Sequence, residues 1–265
     1  MTEMLSYEFM QRAFMAGILI ATLASISGTF IVLKRYSLMS ETLAHSALVG
    51  VAVGLVAGYN PLWMAVIVAI ISAWIIEYLR TSFSLYSDAI LSILLSGSLA
   101  IAIIIVSLGG AFNNSLFSYL FGSILSVSSE DVVTILIFGG VALALLIAFS
   151  RELYFIAYDE EVAKISGIRV KFLNFLLVTV VAIIIALSIR VVGSLLIGAL
   201  MVIPTVAALQ YRVGFLNTVL ISLFIALFSV VTGMTLSFYF SLPSGATIVL
   251  CVISIFIISL VVNKK

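Results

Sequence analysis

Residues 40–58 read SETLAHSALVGVAVGLVAG, and this stretch decides the fold class because it runs almost without charge for the length of a membrane crossing. Glu41 and His45 are its ionisable residues, and His45 is the single histidine of the chain. A helix needs about 20 apolar residues to cross the hydrocarbon core of a bilayer. The stretch therefore predicts a membrane helix with a carboxylate and an imidazole near its start.

The remaining sequence repeats this apolar character. The chain has 265 residues, of which 64% are hydrophobic and 9% charged, and its mean hydropathy is +1.39. Soluble domains carry about a quarter charged residues, so we predict an all-α, polytopic transmembrane bundle in a lipid bilayer, with residues 1–265 forming a single domain. The net charge of +1 gives no reason to expect nucleic-acid binding. Apolar length predicts nine spans, at residues 9–33, 38–57, 61–79, 88–109, 132–150, 172–189, 193–211, 214–236 and 244–262.

The short break between residues 189 and 193 leaves eight spans open, and one segment would then be re-entrant. Nine spans fit the basic residues better, because cytoplasmic loops of membrane proteins are enriched in Lys and Arg. With residues 151–171 in the cytoplasm, only Arg12 and Arg190 face outward. We therefore predict a multi-pass protein of the cell (inner) membrane with its N-terminus outside and its C-terminus cytoplasmic. The inward residues are Lys34, Arg35, Arg80, Arg151, Lys164, Arg169, Lys171, Arg212, Lys264 and Lys265.

The two sides of the helix over residues 38–57 have different compositions. Glu41 and His45 are four residues apart and lie about 40° apart around a helix. Gly50, Gly54 and Gly58 lie on the opposite side. Small residues spaced four apart let membrane helices approach closely, so the glycines predict a packing ridge and the Glu41 side is the candidate functional face.

Glu41 and His45 can both point at one cation, since zinc accepts nitrogen and carboxylate oxygen and manganese accepts a similar set. One chain supplies only these two ligands, and a twofold dimer would supply four. The alternative interpretation is that the two side chains hydrogen-bond each other, or that Glu41 is an interfacial charge. The residues alone leave both interpretations open.

Residues 151–171 form one of the two long connections between the predicted spans, and the other is residues 110–131. Within residues 151–171, DEEVAKISG predicts a short helix over residues 159–167, with Asp159 as N-cap, Glu160 and Glu161 at the positive end of the helix dipole and Gly167 just after the helix. Val162, Ala163 and Ile165 predict a small apolar face. No phosphate-binding loop of the form GxxxxGK[ST] is present. Elsewhere, Glu77 and Arg80 predict an interfacial ion pair.

Four stretches together resemble the permease subunits of ABC importers for zinc, manganese and iron (the ABC-3 type). They are RYSLMSETLAHSALVGVAVG, YLFGSILSVSSEDV, DEEVAKISGIRV and VVGSLLIGALMVIPTVAAL, in the order of the family. The resemblance implies a type II importer-like fold and a permease without enzymatic activity. ATP would be hydrolysed by separate cytoplasmic ATPases, an extracytoplasmic metal-binding protein would deliver the ion, and two permeases would form the path as a homodimer.

The resemblance also assigns roles to residues of this chain. Glu41 and His45 occupy the family's metal-path positions, although the acidic position is usually Asp. Residues 159–167 occupy the position of the coupling helix, with Asp159, Glu160, Glu161, Ala163 and Gly167 as the residues that engage the ATPase. Gly193, Gly198 and Pro204 would let a late span bend, or are irregularities that neighbouring helices satisfy.

Zn²⁺ is the favoured substrate and Mn²⁺ the next, because the DEE opening of the coupling helix looks more like zinc-type members, and no cofactor is expected to be permanently bound. Two other functions remain open. A permease for iron chelates or a corrinoid would need a wide path without direct metal ligands. An ion-coupled secondary carrier would be expected to show paired halves, which this sequence lacks.

Overall fold

The computed structural model describes residue 4 and residues 6–82, 87–109 and 114–262. Within these ranges the protein is helical and contains no strand, which confirms the predicted all-α class. The helices are α1 Glu8–Leu33, α2 Ser37–Ala57, α3 Pro61–Ser82, α4 Ser87–Leu108, α5 Asn114–Phe121, a 3-10 turn Ile124–Ser126, α6 Ser129–Ala148, α7 Ser150–Tyr158, α8 Glu160–Ile165, α9 Val170–Val192, α10 Ile197–Leu209, α11 Phe215–Phe240 and α12 Ser244–Val262.

In the described part of the chain, eight of these helices are long and apolar enough to cross a membrane. They are α1, α2, α3, α4, α6, α9, α11 and α12, and they correspond to eight of the nine predicted spans. The remaining predicted span, at residues 193–211, is the seventh in chain order, and its predicted start was wrong. The helix there is α10, which has 13 residues and follows a non-helical segment at residues 193–196.

The bundle has two distinct ends. Lys34, Arg80 and Glu160 meet at one end, which we call the basic end. Gly122, Gly193 and Ser244 meet at the other, which we call the far end. Leu209 lines a cavity that also contains Lys34, so residues 193–209 run from the far end to the basic end. Within the described ranges the chain therefore makes nine passes between the ends, and α10 makes the seventh.

Burial separates inner helices from outer ones. About seven-tenths of the most apolar window of α1, α2 and α9 is buried inside the protein (67%, 72% and 72%), whereas only 22–28% is buried in α4, α6 and α12. The exposed side chains of the outer helices are mostly apolar, which suits contact with lipid tails. The helix that carries Glu41 and His45 is thus among the most enclosed.

The contact between α2 and α3 depends on two of the predicted ridge glycines. A methyl group added at Gly50 would lie 2.6 Å from Ala65 Cα, and one at Gly54 would lie 2.7 Å from Pro61 Cα. Both distances are shorter than a van der Waals contact, so only glycine permits this approach. The prediction for Gly58 was wrong. Gly58 faces open space and ends α2 in the left-handed conformation (φ 73°), which glycine adopts without a steric cost.

The seventh pass begins with an extended turn that the backbone of α5 fixes in place. Gly193 has φ 92°, and a methyl group there would lie 2.5 Å from Gly122 N. The amides of Ser194 and Leu195 donate to the carbonyl oxygens of Tyr119 and Leu120 at 2.9 and 3.2 Å. These tertiary contacts hold residues 193–196 out of a helix and explain why an apolar pattern alone misplaced the helix start.

The rest of α10 is fastened to α1 and α11. Gly28 lies against the backbone of Met201, where any side chain on residue 28 would overlap. One turn further along α10, the hydroxyl of Thr205 lies 3.3 Å from that of Thr29 in α1 and 3.1 Å from that of Ser222 in α11. Thr205 directly follows Pro204, which lies inside the helix and lacks an amide hydrogen. The hydroxyl chain thus links three helices beside the proline.

Candidate functional site

Glu41 and His45 occupy successive turns of α2, as the sequence predicts, but their environments differ. Glu41 is exposed on the flank of the bundle. His45 is 3% exposed, and its Nδ1 atom is buried without a hydrogen-bond partner among the described residues. A buried ring nitrogen without a partner is uncommon in proteins. Because the atom is enclosed, another group can reach it only if the surrounding side chains move.

A groove of about 530 Å³ runs along the Glu41 side of α2 and is bordered by α10. Gly198 forms part of its wall, and a methyl group added there would lie 3.3 Å from Ser40 Oγ and 3.6 Å from the Glu41 amide nitrogen. Of the three irregular positions predicted in the late span, Gly198 is the one that lies directly beside Glu41. The groove is lined by Ser37, Leu38, Ser40, Glu41, Leu195, Gly198, Ala199, Val202 and Ile203.

The part of the chain that the structure describes does not by itself form a complete metal site. Among the described residues, no group of three or more His, Cys, Asp or Glu side chains is arranged to hold an ion. Zinc sites in proteins use three or four protein ligands, and this chain offers one carboxylate and one imidazole. Glu41 and His45 thus supply two candidate ligands, fewer than such a site uses.

At the far end, an ion pair that was not predicted from the sequence joins three helices. Arg190 of α9 binds the Asp131 carboxylate, and its Nη2 atom donates to the Tyr119 hydroxyl at 3.1 Å. Asp131 also forms a capping box with Ser128 at the start of α6. These contacts join α5, α6 and α9 directly above the extended turn at Gly193. The residues are 59 and 71 positions from Arg190, so no local pattern reveals the pairing.

The short helix α8 has the ends that the sequence predicts. Asp159 Oδ1 accepts hydrogen bonds from the amides of Glu161 and Val162, both at 3.0 Å, and Gly167 follows the helix with φ 82°. Ala163 is fully buried against the bundle. Val162 and Ile165, by contrast, are 44% and 87% exposed. One side of α8 is thus seated on the bundle, and the other presents two apolar side chains to its surroundings.

A second missed feature lies beneath α8. Six side chains from five parts of the chain meet there, and we call them the basic-end cluster: Lys34, Tyr36, Glu77, Arg80, Glu160 and Asn174. The predicted pair of Glu77 and Arg80 is present, with two hydrogen bonds of 2.7 and 3.0 Å. It is not a solvated interfacial pair, however, because Glu77 is fully buried.

Comparisons with known proteins agree with this architecture. A family model described as "ABC 3 transport family" matches residues 6–263. The chain is 36% identical to the "Probable metal transport system membrane protein" of Treponema pallidum, over 96% of each chain. It is 29% identical to the high-affinity zinc uptake system membrane protein ZnuB of Haemophilus influenzae, covering 98% of this chain and 99% of ZnuB.

Two streptococcal proteins extend the comparison. The chain is 29% identical to the manganese import system permease protein ScaB of Streptococcus gordonii, covering 98% of this chain and 93% of ScaB. The solved structure of PsaBC from Streptococcus pneumoniae in complex with Fab superposes with a TM-score of 0.85 at 30% identity, covering 96% of this chain and 91% of the matched chain. Because both the family model and these relatives match nearly the whole length, the chain belongs to the ABC 3 transport family.

Proposed function

We propose that this chain is the membrane-spanning permease subunit of an ATP-driven importer of divalent transition metal ions. Zinc is the favoured substrate and manganese the next. The observation that carries the proposal is the arrangement on α2, where an exposed Glu41 carboxylate lies one turn from a buried imidazole with an unpartnered Nδ1. Similarity to ZnuB and ScaB supports both metals without choosing between them.

A homodimer would complete the path. An ionisable side chain at the lipid surface of a membrane helix costs roughly 2.5–3.5 kcal/mol on insertion scales, so such groups usually face protein or a water-filled path. Glu41 lies in an open groove on the flank of the chain. A second copy related by a twofold axis would cover the groove with the same surface and bring two carboxylates and two imidazoles together around one ion.

The partners would bind at opposite ends of the bundle. We place the basic end in the cytoplasm, because Lys34, Arg80 and Arg212 lie there and cytoplasmic ends are enriched in Lys and Arg. ATPase subunits would then contact α8 through the exposed Val162 and Ile165 side chains. Asp159 and Gly167 fix the ends of that helix, Glu160 and Glu161 lie in its first turn, and the buried Ala163 seats it on the bundle. The far end, where α1 begins, would then lie at the outer face of the cell membrane. A metal-binding protein would deliver the ion there.

The gating role of the seventh pass belongs to the same proposal. This pass contains three irregular positions. Gly193 precedes the helix with a positive φ, Pro204 lies within the helix, and Gly198 lies beside Glu41. A shift of α10 would therefore change the width of the groove next to the carboxylate. The ion is the transported substrate and not a resident cofactor, and no step of the cycle requires this chain to act as an enzyme.

The direct test is uptake of radioactive zinc and manganese into vesicles that hold the permease with its ATPase and delivery protein, with and without ATP. Wild type should accumulate metal only with ATP, and His45→Ala should lose most of that uptake because both copies of the homodimer lose their imidazole ligand. Ser46→Ala is the matched control. Ser46 is next to His45 in the sequence, but its hydroxyl lies 3.0 Å from Ser98 Oγ and does not line the groove. Full uptake by His45→Ala would contradict the proposed metal path.

A further inference from the structure

Glu160 connects the coupling helix α8 to the body of the protein. Its two carboxylate oxygens lie 3.7 Å from Lys34 Nζ and 3.9 Å from Arg80 Nη2. Asn174 of α9 donates to Glu160 Oε1 at 3.3 Å and accepts a hydrogen bond from Lys34. One side chain of a six-residue helix thus contacts the ends of α1 and α3 and the start of α9.

Lys34 depends on that carboxylate. Its side chain is only 4% exposed, whereas that of Glu160 is 42% exposed. Burial lowers the pKa of Lys34 to about 8, and the nearby Glu160 carboxylate opposes this change. If α8 moved away, a buried ammonium group would lose the carboxylate that directly pairs with it, which is costly in a medium of low polarity. Glu160 and Lys34 should therefore move together.

Tyr36 connects these charged groups to α2. Both cations lie close to its buried ring, with Lys34 Nζ 5.2 Å and Arg80 Cζ 5.1 Å from the ring centroid. Cations at such distances are attracted to the face of an aromatic ring. Tyr36 is the residue immediately before α2 and is five positions from Glu41. A continuous chain of contacts thus runs from Glu160 through two cations and one ring to the first turn of the helix that carries the proposed metal ligands.

The cluster is also balanced in charge. Lys34 and Arg80 oppose Glu77 and Glu160, and Glu77 is fully buried in a two-point contact with Arg80. Among these four charged groups, Glu160 is the most exposed and belongs to the helix with the exposed apolar side chains. A partner that contacts α8 can therefore act on the whole cluster through this one carboxylate.

We propose that the basic-end cluster transmits movement of the coupling helix to the start of α2, so that Glu160, Lys34 and Tyr36 determine how many metal ions are moved for each ATP hydrolysed. These are positioning residues, since they act on the metal path through the α2 backbone. The inference rests on the proposed function and adds the route by which the two sites communicate.

The experiment measures ATP hydrolysis and metal uptake in the same proteoliposomes, with the permease in complex with its ATPase and delivery protein. The variants are Glu160→Gln, Lys34→Gln and Tyr36→Leu. Tyr36→Phe, which keeps the ring, and Lys171→Gln, which removes an exposed cation outside the cluster, are the matched controls. We expect uptake per ATP to fall about tenfold in the three variants, within the usual range of coupling between distant sites, while both controls keep the wild-type ratio.

Three results would overturn the inference. If all variants kept the wild-type ratio, the cluster would not transmit movement, although normal wild-type uptake would leave the proposed function standing. If hydrolysis and uptake fell in parallel, the cluster would act in assembly of the complex and not in transmission. If the wild-type complex took up no metal, the proposed function and this inference would both fail. Should Glu160→Gln prevent folding, the pair Tyr36→Phe and Tyr36→Leu provides the same test.

Discussion

The two halves of α2 face different neighbours and have different freedom to change. The first half, Ser37–Leu48, carries Glu41 and His45, borders an open groove and contains a ring nitrogen without a partner. The second half, Val49–Ala57, is fitted against α3 so closely that Gly50 and Gly54 leave no room for a methyl group. One helix therefore combines a loosely covered half, which carries the proposed metal ligands, with a tightly packed half that fixes the helix against α3.

The proposed role of Glu41 and His45 in binding an ion would require a defined position for both side chains. The close glycine contacts of the second half hold the helix in such a position. We expect substitution of the exposed Glu41 in the first half to change transport without changing stability. Substitution of the packed glycines in the second half should do the reverse.

The largest effect is expected for Glu41→Gln. The amide keeps the size of the side chain but loses the negative charge, so ATP-dependent zinc uptake should fall roughly 100-fold, the upper end of what the loss of even an outer partner of a metal ligand costs. Thermal unfolding of the purified permease should not change, because Glu41 is exposed in the groove. A lower melting temperature with normal uptake would assign Glu41 to the packing half.

An intermediate effect is expected for Gly50→Val. The added methyl groups would overlap the backbone of Met64 and Ala65, and overpacking of this kind typically costs about 1–3 kcal/mol. The melting temperature should drop, while the uptake of the folded fraction should approach that of wild type. Val49→Ala, at the adjacent and less buried position, is the control and should change neither quantity strongly. An unchanged melting temperature in Gly50→Val would refute the close contact with α3.

The smallest effect is expected for Gly58→Ala. No atom lies near the position that the methyl group would take, so only the left-handed backbone (φ 73°) opposes the change, at a cost of about 1 kcal/mol. The measurement is again thermal unfolding, with Gly54→Ala as the comparison. If Gly58→Ala were as damaging as Gly54→Ala, Gly58 would belong to the packing ridge after all.

Local patterns predicted much of this structure. The caps of α8 at Asp159 and Gly167 follow from residues within one turn of each other, and the common face of Glu41 and His45 follows from helical spacing. The passes were predicted from apolar length, because a bilayer imposes a minimum length on each helix.

The missed features depend on residues that are far apart in the sequence. Lys34 and Asn174 are 140 positions apart, and Arg190 and Asp131 are 59 apart. Burial of Glu77 was missed for the same reason, since its environment comes from other helices. The start of α10 was misplaced because the Gly193 conformation is set by the backbone of α5 and not by its own neighbours. Pairings of this kind require the assembled bundle.

The short seventh pass has a consequence for how it is held in the membrane. At 1.5 Å per residue, 13 helical residues extend about 20 Å, which is less than the roughly 30 Å of the hydrocarbon core. Unlike the other passes, α10 does not have the length to enter the bilayer as an independent segment. Its backbone contact with Gly28 and the hydroxyl contact between Thr205 and Ser222 join it instead to α1 and α11. We therefore expect α10 to remain in the membrane as part of the assembled bundle and not as an independent span.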